Sequence, residues 1–175
     1  MMERVFEQET IATPIEQPRV FFDMDGTLAR FHDEVHYLER MFEPRFFTDL
    51  APFENAVAGI RQYMTDHPNA EVYILSATVD GEPPYCRTEK NEWLDKHLPE
   101  IDVAHHIFTP VGADKSVYIP GGIRVEDTLI DDYNKNLEEW RTAGGHAVKF
   151  VNNINDRALV GERWQGDRMY YDDVP

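Results

Sequence analysis

Arg19-Val-Phe-Phe-Asp23-Met-Asp25-Gly-Thr-Leu28 is the stretch on which the fold of this chain turns. Val20, Phe21 and Phe22 form an unbroken apolar run with no polar alternation. Such a run suits a strand covered on both faces, as in a parallel sheet. Two carboxylates spaced by one residue follow it, and Gly26 lets the chain turn sharply after them. In an open α/β sheet, ligands bind at the carboxyl ends of the strands. Asp23 and Asp25 can therefore face one site. Acidic oxygens gathered there suit Mg²⁺, a hard cation. Alone, an Asp-x-Asp pair reads as readily as a surface turn, so the rest of the chain has to decide.

Four further apolar runs are expected to be strands: Glu71–Leu75 after the Pro68-Asn69 turn, His106–Thr109, Asp127–Asp132, and His146–Val151 after Gly144-Gly145. Helical spacing separates them. Ala56, Val57, Ile60 and Met64 share a face over 54–66. Trp93, Leu94 and Leu98 do so over 88–98, with Thr88 as the expected cap. A third helix spans 134–142 and ends at the two glycines. Alternating strands and helices imply βαβ units, hence an α/β fold with a mainly parallel sheet. Residues 29–52 interrupt the pattern. They carry Phe31, Tyr37, Phe42, Phe46 and Phe47, and are expected to form a small helical cap inserted after the first strand. The whole chain, 1–175, is expected to be one domain with flanking segments at 1–18 and 152–175, the first a polar lead-in arm.

Composition narrows the function. Lys plus Arg is 17 and Asp plus Glu is 33, a formal net charge of −16. That surplus argues against a nucleic-acid polymer as partner, which needs a basic track. A small phosphorylated substrate remains open, because a bound divalent metal and one or two lysines reverse the sign locally. Cys86 is the single cysteine, which excludes an internal disulfide and a Cys-based zinc site. Together with an acidic amino terminus that does not read as a secretory signal, it suits a reducing cytoplasm. No apolar run approaches membrane-spanning length, so a membrane is not an expected partner.

The stretch Asp23-Met-Asp-Gly-Thr-Leu28 resembles the first signature of the haloacid dehalogenase (HAD) superfamily. The further elements of that pattern follow in order: Ser76 after Glu71-Val-Tyr-Ile-Leu75, a later lysine (Lys115 or Lys90), and Asp131-Asp132 after Asp127-Thr-Leu-Ile130. A narrower likeness is to the 5′(3′)-deoxyribonucleotidase family. Phe46-Phe-Thr-Asp-Leu-Ala-Pro-Phe-Glu-Asn-Ala56 is similar to its FFxDLxPxxxA segment, and Glu89–Leu98 to its KxxWV helix. Asp114-Lys-Ser-Val117 and Leu129-Ile-Asp-Asp132 are similar to its DKTVV and LIDD segments. The likeness covers roughly residues 19–135. There are departures: a shorter cap region, an apparent insertion over 118–126 containing Pro120-Gly-Gly122, and Ser76-Ala77 in place of Thr-Ser. These leave nucleobase preference open.

The resemblance implies a Rossmann-like HAD core and a Mg²⁺-dependent phosphomonoesterase that acts through an aspartyl-phosphate. Its substrates would be (deoxy)nucleoside monophosphates. Asp23 is the expected nucleophile, Asp25 the general acid and base, and Lys115 the cation beside the transferring phosphoryl group. Asp23, the backbone carbonyl of Asp25, and one of Asp131 and Asp132 are the expected metal ligands. Adjacent side chains on a strand diverge, so the other aspartate is expected to orient a water or Lys115. Thr27, Ser76, the backbone of Ala77 and Lys90 are the expected phosphate contacts. Phe46 and Phe47 are the favoured surfaces for a base, ahead of Phe31. His105-His106, Cys86 and Trp93 read as structural. Two alternatives stand beside this reading: a HAD phosphatase of a sugar phosphate or other small metabolite, and a HAD scaffold that only binds. The oligomeric state is open, with a homodimer as one option.

Overall fold

The computed structural model describes residues 17–79, 85–152 and 164–170. The apolar run before Asp23 becomes β1 (Arg19–Phe22), buried at all four positions. It pairs in parallel with β2 (Glu71–Thr78) on one side and β4 (Thr128–Asp131) on the other. The full sheet is parallel, in the order β3-β2-β1-β4-β5-β6, with β3 at His106–Pro110, β5 at His146–Val151 and β6 at Asp167–Tyr170. The chain moves outward from β1 to β2 and β3, then returns to lay β4 on the opposite side of β1. That reversal leaves a crevice between the carboxyl ends of β1 and β4, where ligands bind in sheets of this kind.

Alternate residues of the strands feed two cores, one on each face of the sheet. Val20, Phe22, Ile74 and Ile130 pack with Ala56, Val57 and Ile60 of α2 (Glu54–Asp66) and with Trp93 and Leu94 of α3 (Tyr85–His97). Phe21, Leu75, Leu129 and Ala147 pack on the other face with Leu137 and Trp140 of α4 (Asn134–Thr142). The Phe21 ring stacks on Tyr73 at 4.9 Å between centroids and meets Trp140 at 5.0 Å. Gly144 ends α4 in the left-handed region at φ 103°, which glycine adopts without steric cost. Gly145 has no side chain because the Trp140 indole occupies that space.

At the amino end of the sheet, Arg19 is only 4% exposed although it is charged. Its guanidinium donates to Asp127 Oδ1 at 2.8 Å and Oδ2 at 2.5 Å, to the Pro120 carbonyl at 3.1 Å and to the Gly122 carbonyl at 2.7 Å. A bidentate buried pair of this kind fixes geometry strongly. It ties the 118–126 stretch beneath the sheet.

The structure refines four expectations. The helix expected to start at Thr88 starts at Tyr85, and Thr88 lies inside it. No breaker separates Tyr85 from Thr88, and Cys86 points into the core one heptad before Trp93. The 29–52 segment holds a 3₁₀ turn at Phe31–Asp33, a single helical turn α1 (Tyr37–Arg40), and otherwise turns. Much of it is thus less helical than expected. β2 runs on through Ser76 and Ala77 to Thr78. In the 152–175 flank, Asp167–Tyr170 pairs with β5 as an edge strand, and Trp164 is buried against the α4 face. Residues 1–16, 153–163 and 171–175 lie outside the described residues, and so do Pro83 and Pro84.

Candidate active site

β1 ends at Phe22, and the Asp23 amide donates to the Ile130 carbonyl of β4 at 2.9 Å. This backbone bond sets Asp23 beside Asp131, the last residue of β4. Asp132 follows directly. One carboxylate oxygen from each of Asp23, Asp131 and Asp132 lies within 4.8 Å of the others, and all three residues are buried. Strand alternation does not separate the adjacent pair, because Asp132 already lies past the end of β4. Both carboxylates therefore reach the cluster.

Lys115 enters from a 3₁₀ turn, Lys115–Tyr118, whose first residues are held by the Asp114 side chain. Its ammonium donates to Asp23 Oδ1 at 2.5 Å and Asp131 Oδ2 at 2.7 Å. Asp131 also accepts from the Tyr133 amide at 2.8 Å and from Asn136 Nδ2 at 2.9 Å. Asn152 Nδ2 bridges Asp132 Oδ2 and the Gly26 carbonyl, 2.8 Å from each. Lys149 donates to the Asp132 carbonyl at 2.6 Å and to Asn134 Oδ1 at 2.7 Å. The carboxyl ends of β1, β4 and β5 are thereby locked to one another.

Burial pushes the Asp23 carboxyl up to about 7, and the charge of Asp131 adds to the rise, while Lys115 opposes it. The two neighbouring aspartates raise the Lys115 ammonium above its ordinary range, against the effect of its burial. Two buried lysines, Lys115 on Asp23 and Asp131 and Lys149 on the Asp132 carbonyl, stand against three buried carboxylates, which leaves the cluster short of positive charge. A hard divalent cation matches that shortfall and that set of oxygen donors.

A second polar node lies one turn away. Lys90, on α3, is wholly buried. Its ammonium donates to Asp25 Oδ2 at 2.5 Å, Ser76 Oγ at 2.9 Å and the Ala77 carbonyl at 2.6 Å. The same helix grips the 29–52 segment. Glu89 accepts from the Arg45 amide at 2.5 Å and the Phe47 amide at 3.0 Å, and Trp93 Nε1 donates to the Leu50 carbonyl at 2.8 Å. Thr48 Oγ1 donates to Glu92 at 2.9 Å.

A cavity of about 460 Å³ opens over the cluster. Its floor holds Asp23, Asp25, Lys115, Asp131 and Asp132, and Phe31, Phe47, Leu38, Met41 and Val111 are among the walls. Ala77 and Cys86 also line it. Burial raises the Cys86 thiol above its usual range, which fits a passive role. A second cavity, about 470 Å³, lies between α2 and the sheet with mainly apolar walls and no carboxylate cluster.

Of the residues singled out from the sequence, Asp23, Asp25, Lys115, Asp131, Asp132, Ala77 and Phe47 share the acidic cavity. Phe46 is 5% exposed and packs on Phe31 and Phe47 behind it. Thr27 is buried, with its hydroxyl 3.4 Å from Asp23 Oδ2, and faces the second cavity. Ser76 is buried on Lys90. His105 and His106 bond to the Val72 carbonyl and to Asn91, a structural placement. His32, Asn136, Asn152 and Lys149 were not anticipated. His32 Nδ1 sits 3.8 Å from Asp132 Oδ2, and burial lowers its pKa. Asn136 lay within five residues of the acidic pair, the only sequence signal available for it.

The family model described as 5′ nucleotidase, deoxy (pyrimidine), cytosolic type C protein matches residues 30–169. No curated protein sequence matches the chain significantly. Solved structures share its fold at low identity. D,D-heptose 1,7-bisphosphate phosphatase from Burkholderia thailandensis is 11% identical at a TM-score of 0.58, over 90% of this chain and 94% of that one. A HAD hydrolase of family IA, variant 3, from Entamoeba histolytica is 10% identical at 0.53, over 91% and 96%. A hydrolase from Pseudomonas syringae is 14% identical at 0.51, over 89% and 93%.

Proposed function

The chain belongs to the 5′ nucleotidase, deoxy (pyrimidine), cytosolic type C family of HAD phosphatases, and on that premise we propose that it is a Mg²⁺-dependent nucleotidase working through an aspartyl-phosphate. The observation that carries the reading is the meeting of Asp23, Asp131, Asp132 and Lys115 on the floor of an open cavity at the β1/β4 crevice. The substrate class is (deoxy)nucleoside monophosphates. Apolar and aromatic walls from Phe31, Phe47, Leu38 and Met41 suit a flat base better than a polyhydroxylated sugar. The 29–52 segment acts as a cap, within a single domain. No helix among the described residues is long and apolar enough to cross a membrane; the cytosolic type of the matched family supports a cytoplasmic enzyme.

Asp23, Asp131 and Asp132 would hold the divalent cation, with the Asp25 carbonyl as a further ligand. When bound, it offsets carboxylate charge and polarises a phosphoryl oxygen. The Asp23 carboxylate attacks phosphorus, and the bond from phosphorus to the ester oxygen breaks with its electron pair going to that oxygen. Asp25 gives the leaving oxygen a proton, so the product departs as an alcohol. Lys115, fixed between Asp23 and Asp131, balances charge on the transferring group throughout. A water then attacks the aspartyl-phosphate while Asp25 takes its proton. The bond between phosphorus and Asp23 breaks, returning the carboxylate and releasing inorganic phosphate.

Phosphate release from dUMP, dTMP, UMP and ribose 5-phosphate, with Mg²⁺ and with EDTA, tests the reading. Metal-dependent release favouring the deoxynucleotides is expected. Release from the sugar phosphate alone would keep the chemistry and overturn the substrate class. Asp23→Asn should abolish turnover with the fold intact; wild-type turnover in that variant would remove Asp23 as nucleophile.

A further inference from the structure

Lys90 is the most fully enclosed cation near the site, and the mechanism above makes no use of it. An ammonium has three N–H donors. In Lys90 they go to Asp25 Oδ2, Ser76 Oγ and the Ala77 carbonyl. Its Nζ also lies 4.9 Å from the centre of the Phe47 ring. No donor is left for a phosphate, and the side chain is not part of the cavity wall. Asp25 completes the picture. Its Oδ2 is held by Lys90, while Oδ1 is buried and has no hydrogen-bond partner among the described residues. The Asp25 side chain is 22% exposed and lines the cavity, so Lys90 pins a carboxyl that substrate can reach.

We propose that Lys90 is a positioning residue: by clamping Asp25 through Oδ2, it fixes the carboxyl that protonates the leaving-group oxygen and later takes the proton of the attacking water. This deepens the nucleotidase reading and rests on its two-step chemistry. Lys90 itself transfers no proton and touches no substrate. A carboxyl free to rotate would be aligned only part of the time, and loss of alignment lowers turnover without weakening substrate binding. The Phe47 contact links the same ammonium to a cap-side wall of the cavity.

The leaving group separates this role from a structural one. An alkoxide must be protonated as it departs, whereas p-nitrophenolate leaves unaided. Lys90→Met should lower the first-turnover rate of nucleoside release from dUMP by about 100-fold, the size of a general-acid contribution, with KM changed by no more than about twofold. The first-turnover burst of p-nitrophenolate from p-nitrophenyl phosphate should slow by under about fivefold, whereas steady-state kcat falls on both substrates because Asp25 also serves the hydrolysis step they share. Asp25→Asn should reproduce that contrast, and the double variant should lose little more than Asp25→Asn alone. Equal losses of first-turnover rate on both substrates, a rise in KM on both, or additive losses would overturn the proposal. Melting curves check the fold. If Lys90→Met does not fold, Lys90→Arg is read by the same ratio, with an intermediate contrast expected and none overturning it. A wild type active on p-nitrophenyl phosphate but on no nucleotide refutes the substrate class alone. The ratio is then read with whichever alkyl phosphate is cleaved. A wild type that cleaves none refutes both.

Discussion

Glu89→Ala tests how the 29–52 segment is held beside the acidic cavity. The Glu89 side chain is buried, and its two oxygens accept the backbone amides of Arg45 and Phe47 at 2.5 and 3.0 Å. Hydrogen bonds to a charged group contribute about 1.5–3 kcal/mol each. Water can replace the acceptor at the part-buried Arg45 amide but has poor access to the buried Phe47 amide. The expected cost is therefore about 2–4 kcal/mol, below the sum of two full losses. For a domain of this size, each kcal/mol shifts Tm by about 2–4 °C, so the fall should be about 4–16 °C. Glu89→Gln keeps one carbonyl acceptor but turns an NH₂ toward the other amide, and should cost roughly half as much. Because Phe47 lines the cavity, KM for the nucleotide should rise more than kcat falls. Differential scanning calorimetry and steady-state kinetics on both variants supply the numbers. A Tm within about 1 °C of wild type for Glu89→Ala would refute the reasoning. It would mean that Trp93 and Glu92 alone hold the segment.

Arg19→Met should cost about 3–5 kcal/mol in urea unfolding, because it strands the buried Asp127 carboxylate without its partner; Arg19→Met with Asp127→Asn should recover part of that, and no recovery would count against the pair as the cause. Since Arg19 lies at the opposite end of β1 from Asp23, kcat/KM per folded molecule should hold. Burial pushes the His106 imidazole below its ordinary pKa of 6.5. The unfolded chain therefore binds more protons than the folded one below that value, and stability should fall as pH drops through 6.5 toward the lowered folded pKa and level off above it. His106→Gln should flatten that slope; an unchanged slope would assign the protons elsewhere, with His32 and His97 shifted in the same direction. Mg²⁺ should raise the wild-type Tm by binding the folded state alone. Asp131→Asn should lose most of that rise, and an equal rise in both would place the ion away from the cluster.

Much of this arrangement could be read from the chain before it was folded. The apolar runs before Asp23 and Asp131 predicted parallel strands, which puts their carboxyl ends at one edge of the sheet; that β4 lies directly beside β1 is visible only in the fold. Lys115 was legible because Asp114 and Ser116 frame it in a recognisable segment. Lys90 and Glu89 were legible as a segment but not in role. On a helix with charges all round, nothing local says which ones face inward, and only the position of α3 between the 29–52 segment and β2 turns both into buried contacts. The edge strand Asp167–Tyr170 was missed for a related reason. Its residues are mostly exposed, so it lacks the apolar signature that marked the inner strands. Asp132 was expected to diverge from Asp131, but that rule holds only while the chain remains extended, and here the strand has already ended.

The placement of β4 beside β1 also governs when the molecule becomes competent. Lys115 and Asp23 are 92 positions apart in the chain, and the Asp23 amide bonds across to Ile130. Parallel pairing over such separations forms late, because loop closure must be met before the contacts reward it. A nascent chain that has made only β1, β2 and β3 carries Asp23 and Asp25 but neither Asp131 nor Asp132. Recovery of turnover after dilution from denaturant therefore reports the insertion of β4 beside β1 rather than collapse, and the catalytic assay doubles as a clock for that pairing.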